Sequence, residues 1–258
     1  MSAEGLGALS AWQRRAVASG QIPSSHVLVW RDGRVVHDHC VGRRTSRAAN
    51  APDTIYRFYS MTKPIVSVAL MQLYERGRFL LTDPVHLYLG ATWKRRNMRV
   101  YKSGSYAVGY ETEPCRRSIT IKDLLTHTSG LSYGFDFLGL ENKVDEIYYR
   151  EGYTKPCGNV AFAQRLAKAP LRFQPGDAFV YGFNSDVVGA LVEVLSGQTL
   201  DAYLQEHILG PLGMVDTAFF VPAEKYHRFT SLWMPSHVAA YMSEASPSAG
   251  TGRGAAAG

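Results

Sequence analysis

Hydrophobic and polar positions follow two distinguishable rhythms along this chain. Between residues 6 and 19, Leu6, Leu9, Ala16 and Val17 recur among polar positions at helical spacing, which predicts a short amphipathic opening helix ended by Gly20. The rhythm then shortens. Val27 to Trp30 and Val35 to Val41 read as two strands joined at Asp32-Gly33, a dipeptide that tolerates the positive φ angles of a tight hairpin turn. From Met61 to Arg76, the apolar residues Ile65, Val66, Ala69, Leu70, Leu73 and Tyr74 return to the i, i+3, i+4 pattern. Gly77 stands where a left-handed cap stops a helix, and Pro64 fits only in its first turn. The next segment is expected to be mostly helical. Thr120 with Asp123 resembles a capping arrangement ahead of Leu124 and Leu125, broken at His127-Thr128-Ser129-Gly130, and Pro175-Gly176 marks a turn. Asp186 to Leu195 is apolar on most sides and closes at Ser196-Gly197, followed by an amphipathic helix through Leu200, Tyr203, Leu204 and Ile208. From about residue 244 the composition collapses into Ser, Ala, Gly and Pro, too little apolar surface to order itself, so a disordered tail is expected.

Composition narrows the class without naming a function. The chain has 258 residues, 46% hydrophobic and 19% charged, which fits one or two folded domains with a sizeable core and excludes a disordered, collagen-like or coiled-coil chain. The net charge of +6 is unevenly spread: residues 1–120 hold 18 Lys and Arg against 8 Asp and Glu, and residues 121–258 hold 10 against 14. Clusters such as Arg43, Arg44, Arg47 and Lys94, Arg95, Arg96, Arg99 suit an acidic partner, but no aromatic interleaving or nucleic-acid motif accompanies them, so nucleic-acid binding is not expected. The three cysteines, Cys40, Cys115 and Cys157, are far apart and form no CxxC pair, which argues for reduced thiols rather than a disulfide framework or a zinc site. His37 and His39 alternate on a strand beside Cys40 without a third spaced ligand, and no metal is expected. No apolar run suits a signal peptide or a membrane span, so a soluble, cytoplasmic protein is expected.

The chemistry starts at Ser60-Met61-Thr62-Lys63. A serine nucleophile needs a group to take its proton, and Lys63 stands one helical turn away. With 20 serines and 8 lysines in the chain, chance gives about 0.6 such pairs, so the spacing alone is weak. Its setting at the start of an apolar helix adds oriented N–H groups and the positive end of the helix dipole, which favour an alkoxide. A lysine of ordinary pKa near 10.4 serves as base at neutral pH only if an enclosed site lowers that value. Taken alone, the pair reads more readily as a helix-capping serine and a lysine snorkelling to water.

Further blocks change that balance, because the chain resembles the serine β-lactamase-like superfamily, in particular class C β-lactamases, family VIII carboxylesterases and penicillin-binding-type hydrolases. Phe58-Tyr59-Ser60-Met61-Thr62-Lys63-Pro64 looks like the nucleophile block, and Leu124 through Leu131 like the His-Thr-Ser-Gly block. Pro175-Gly176-Asp177 leads to Tyr181 as the family expects, while Asp186 through Gly197 and Pro211-Leu212-Gly213-Met214 resemble the helix and loop beyond it. The likeness covers nearly all of residues 8–230. It implies an α+β, β-lactamase/transpeptidase-like fold: an N-terminal helix and hairpin of an antiparallel sheet, with a mainly helical region. By resemblance, Ser60 is the acylated nucleophile, Lys63 the proton acceptor and Tyr181 a second acid/base whose phenolate the ammonium stabilises. His127 resembles the family's loop histidine and is expected to brace the loop by hydrogen bonding rather than to take part in the chemistry. The expected substrate is a small-molecule ester or amide, with no cofactor.

Two departures stand out. Class C enzymes continue the tyrosine into a Tyr-x-Asn triplet, whereas here Gly182 and Phe183 intervene and Asn184 arrives one place late. The register from Tyr181 to Gly189 is closer to the esterases, favouring ester over β-lactam hydrolysis. Beyond Tyr181 there is no Lys-Thr-Gly, His-x-Gly or Trp-Gly-Gly motif of the kind the family carries on a C-terminal strand, which supplies a second oxyanion-hole N–H. The expectation is therefore a truncated β-lactamase-related domain over 1–230, lacking the C-terminal sheet strands, and a divergent tail over 231–258. The abrupt change near Ser231 to Met242 has the form a shifted reading frame or read-through intron produces. The rivals to a serine carboxylesterase are an inactive homologue kept as a binding module or non-functional fragment, and a binder of acidic partners through the basic first half.

Overall fold

A computed structural model describes residues 2–134 and 142–233, and the tail expected to be disordered lies outside the described residues. The chain divides into two compact units, residues 1–57 with 220–258, and residues 58–219.

The first unit is a helix on a hairpin. Helix α1 (Ala3–Ala18) begins where the Ser2 side chain accepts from the Gly5 N–H at 3.1 Å and ends ahead of Gly20, at φ 75°. Strands β1 (Ser24–Arg31) and β2 (Arg34–Gly42) pair antiparallel through the expected turn, with Asp32 at φ 48° and Gly33 at φ 77°. Gln13 of α1 is fully buried and satisfied: its amide nitrogen donates to Ser25 Oγ and to the His39 carbonyl, and its Oε1 lies 2.9 Å from His39 Nδ1. The outgoing chain rejoins this unit through a 3₁₀ turn at Ala223–Arg228, after which Phe229 bridges Ile55 and lies 4.1 Å from the Arg57 guanidinium. Among the described residues this hairpin has no third full strand beside it.

The second unit is mainly helical. Helix α2 (Thr62–Glu75) has Pro64 in its first turn and Gly77, at φ 67°, just past its end. The mostly helical segment expected next is not what forms: after a short α3 (His86–Leu89), strands β3 (Arg99–Ser105) and β4 (Gly109–Pro114) make a second hairpin. Its pattern was hidden because most of its positions are polar or charged, and Val100 alone among its strand residues is buried. Leu171 fixes β3 from the other side by exchanging bonds with Tyr101 N and the Arg99 carbonyl, each at 2.8 Å.

Helix α4 (Ile121–Leu125) carries the predicted capping box between Thr120 and Asp123. Asp123 is buried and also takes Arg117 in a two-pronged pair at 2.6 and 2.9 Å. Burial works to raise its pKa, but the Arg117 guanidinium and the Thr120 N–H and hydroxyl outweigh it and hold the carboxyl below 3.8. After α5 (Lys143–Arg150) and α6 (Asn159–Leu166) comes α7 (Asn184–Ser196), closed by Gly197 in the left-handed conformation. Helix α8 (Leu200–Leu204) widens into a π turn over Gln205–Leu209. Helix α7 is the core, with Val187, Val188, Ala190, Leu191 and Val192 almost inaccessible and α2, α3, α4, α6 and α8 packed around it. Gly189 permits the α8 approach, since a Cβ there would lie 3.1 Å from Leu200 Cδ2. No helix among the described residues is long and apolar enough to cross a membrane.

Replacing Asp123→Asn removes the charge that Arg117 and the α4 cap share. It is expected to cost about 2 kcal/mol of stability, read as a lower urea midpoint at unchanged slope.

Candidate active site

The site forms where the first turn leading into α2 meets the segment leading into α7. Tyr59–Met61 is a 3₁₀ turn, and Tyr59 holds φ at 45°, a left-handed conformation that costs a non-glycine residue about 1 kcal/mol. That kink presents Ser60 at the surface, one residue ahead of Met61, the N-cap of α2. Lys63, in the first turn of α2, is half-buried and donates from Nζ to Ser60 Oγ at 3.3 Å.

Tyr181 arrives from 121 residues away with its hydroxyl 2.6 Å from Ser60 Oγ, and Lys63 Nζ lies 4.7 Å from the centre of its ring. The three residues singled out in the sequence, Ser60, Lys63 and Tyr181, therefore converge on one oxygen. Burial tends to raise the Tyr181 pKa, but hydrogen bonding from Lys63 and Ser60 and the positive charge of Lys63 together bring it below 10. The lowered value marks the phenol as a group readier than an ordinary tyrosine to exchange a proton.

What holds Tyr181 there is a buried polar network of which only the bracing role of His127 was expected from the sequence. Asn184, the residue that arrives one place late, is fully buried; its Oδ1 accepts from Ser129 Oγ at 2.5 Å and its Nδ2 lies 3.0 Å from His127 Nδ1. His127 Nδ1 also accepts from the Gly182 N–H at 3.4 Å, so this nitrogen carries no proton. The imidazole stacks on the Tyr181 ring at 5.1 Å and 12°. His127 thus braces the loop and the tyrosine, through a backbone at φ 55°.

The backbone adds its own fasteners, Val180 N to the His127 carbonyl at 2.9 Å and Phe183 N to the Ser132 carbonyl at 3.1 Å. Gly182 has to be glycine, because a Cβ there would come 2.2 Å from the Leu131 carbonyl. That contact is why Gly182 follows the tyrosine. Tyr133 closes one side, edge-on to Tyr181 at 5.5 Å and with Lys63 Nζ 6.0 Å from its ring centre. The loop carrying it is pinned by Asp145, which accepts from Ser132 Oγ and from the Tyr133 and Gly134 N–H groups at 2.5, 3.0 and 2.9 Å. The polar residues of this network sit in blocks already matched by resemblance, but only their burial reveals what they do.

Ser60 and Lys63 at the start of α2 thus meet Tyr181 at the approach to α7. The profile of the Beta-lactamase family matches residues 9–258, and the chain belongs to that family, with its β-lactamase/transpeptidase-like fold. Among curated relatives, the monacolin J acid methylbutanoyltransferase of Aspergillus terreus is 35% identical over 215 residues, covering 80% of this chain and 50% of that protein. Esterase EstB of Burkholderia gladioli is 34% identical over 213 residues, covering 80% and 49%. Among solved structures, unliganded simvastatin synthase (LovD) from Aspergillus terreus superposes with a TM-score of 0.68 at 32% identity, covering 82% of this chain and 54% of that one. The chain thus spans about half the length of the curated relatives it matches. The family includes both acyltransferases and esterases.

Burial, reinforced by the Lys63 charge, lowers the pKa of His127 below 6.5. The neutral ring is what the fold uses, so its contribution is complete above pH 6.5 and is lost as pH falls toward the depressed value. The thermal midpoint is expected to fall more between pH 7.5 and 5.5 in the parent than in His127→Asn, a substitution that tolerates the left-handed backbone. Equal falls in both would assign the acid sensitivity elsewhere.

Proposed function

We propose that the chain is a serine hydrolase that forms an acyl-enzyme at Ser60, acting as a carboxylesterase on small esters. The observation that carries this reading is the meeting of Tyr181 and Lys63 on Ser60 Oγ at 2.6 and 3.3 Å. A serine hydroxyl bridging an ammonium and a phenol of lowered pKa has a proton acceptor and a positive charge within reach at once.

In the proposed sequence, Ser60 Oγ attacks the ester carbonyl carbon while its proton passes to the Tyr181 oxygen. Lys63, expected from the resemblance to be the proton acceptor, donates from Nζ to Ser60 Oγ in this structure, so the proposal gives proton acceptance to Tyr181 and leaves Lys63 to steady the phenolate before transfer and the growing negative charge during it. Collapse of the tetrahedral adduct breaks the bond to the alcohol, which leaves with the proton from Tyr181, and the acyl group stays on Ser60. Water then attacks the acyl carbon, giving a proton to Tyr181; collapse of the second adduct breaks the bond to Ser60 Oγ, which takes that proton back from Tyr181, and the carboxylic acid is released. An alcohol in place of that water gives acyl transfer by the same steps. Exposed apolar side chains, Tyr59 at 65% and Met61 at 55% on either side of Ser60 and Phe179 at 68% with its ring 5.8 Å from that of His127, favour an apolar acyl group. The register of Tyr181 to Gly189 supports an ester over a β-lactam substrate.

Labelling by a fluorophosphonate, read by intact mass and peptide mapping, tests the reading. One adduct at Ser60 is expected, absent in Ser60→Ala. Tyr181→Phe is expected to slow labelling about 100-fold or more. A folded parent that takes no label favours the inactive homologue acting as a binding module, the reading that the absence of a Lys-Thr-Gly, His-x-Gly or Trp-Gly-Gly motif beyond Tyr181 supports.

The pH profile offers a separate check. Because Tyr181 must be deprotonated to accept the proton, hydrolysis of a chromogenic ester is expected to rise with pH and to level off at a midpoint below 10. In Tyr181→Phe that limb should vanish.

A further inference from the structure

The hairpin of the first unit sorts its polar side chains by face, and the sorting differs from what the linear spacing suggests. His37 and His39 point toward α1, where His37 Nε2 lies 3.5 Å from Ser10 Oγ and His39 Nδ1 meets Gln13. Cys40, one residue on, belongs to the opposite face with Asp38. Across the ladder, Cys40 stands directly opposite His26. His26, Asp38 and Cys40 therefore share one face at neighbouring positions of a rigid two-stranded ribbon. Their ligand atoms, an imidazole nitrogen, a carboxylate oxygen and a thiol sulfur, all lie within 4.8 Å of one another.

We propose that His26, Asp38 and Cys40 form a binding site for a zinc-type divalent ion, with water completing the coordination. The donor set decides the class of ion. Magnesium and calcium prefer oxygen alone, whereas a thiolate with an imidazole and a carboxylate suits zinc or its spectroscopic substitute cobalt. Geometry decides whether an ion fits. Metal–nitrogen and metal–oxygen bonds of about 2.1 Å and a metal–sulfur bond of about 2.3 Å set tetrahedral edges of roughly 3.3 to 3.6 Å. Reaching them requires only that the 2.7 Å contact between His26 Nε2 and Asp38 Oδ1 open slightly and that Cys40 close in, which side-chain rotation provides without moving the strands. All three side chains are partly accessible, giving the ion a route in. On binding, the ion displaces the proton of the Cys40 thiol to solvent and replaces the His26–Asp38 hydrogen bond with two coordination bonds. It then ties β1 to β2 through three side chains in place of that single hydrogen bond.

The test titrates the full-length, chelator-stripped protein with cobalt(II), following the near-ultraviolet thiolate-to-cobalt absorption, and then displaces the cobalt with zinc. One equivalent of cobalt is expected to bind and to be released by zinc, and zinc is expected to raise the thermal midpoint. Cys40→Ser is expected to abolish the absorption. His26→Ala, and separately Asp38→Asn at a more exposed position that keeps the side-chain shape, are expected to weaken zinc binding by about 100-fold or more. His37→Ala and Cys157→Ser should bind as the parent does. No thiolate absorption in the parent, absorption that survives in Cys40→Ser, or zinc affinity unchanged in both His26→Ala and Asp38→Asn would each overturn the assignment.

Discussion

Helix α7 is apolar on nearly every side, and a helix of that kind has to be covered all round. This one requirement organises the helical unit. Helices α2, α3, α4, α6 and α8 supply the cover, and the packing of α2 against α7 brings together residues that begin 121 positions apart. Ser60 and Lys63 sit at the entry to one helix and Tyr181 at the entry to the other. The hydrophobic core thus sets the distance between the reacting groups, and the polar residues refine it.

The refinement is a chain of dependent contacts. Ser129 fixes Asn184, Asn184 and Gly182 fix the ring nitrogen of His127, and the His127 ring lies flat against Tyr181. Each member is satisfied by the next, which suits a polar cluster at the margin of a dry core, where an unpaired group costs more than a hydrogen bond returns. Tyr181 can thus remain at the surface, in reach of a substrate, while the atoms that aim it are inside.

Much of this was legible in the sequence. The opening helix, the first hairpin, the capping box of α4, the left-handed closure of α7 and the pairing of Ser60 with Lys63 all carry local signals, because caps, tight turns and helical spacing are local physics. The second hairpin was not legible. Its polar strands bury little beyond Val100, and they are held by Leu171, some seventy residues downstream, which no local pattern can report. Asn184 was legible only as a misplaced residue, because its partners, Ser129 and His127, become neighbours only after folding. The zinc-type cluster was obscured differently. His37, His39 and Cys40 look like a set when read along the chain, but the pleat divides them, and it is the cross-strand partner His26 that completes the group.

The position of Asn184 also constrains how such a site can change. A helix turns by about 100° and rises 1.5 Å for each residue. Deleting one residue between Tyr181 and Asn184 would restore the triplet spacing, but it would either draw the phenol away from Ser60 or rotate Asn184 off Ser129 and His127. Substitution cannot mediate between the two at Gly182, where a Cβ would lie 2.2 Å from the Leu131 carbonyl and no side chain has room. The two tyrosine–asparagine spacings are therefore separate solutions with no single-residue step between them, and a lineage that adopts the longer one is committed to the buried asparagine that comes with it.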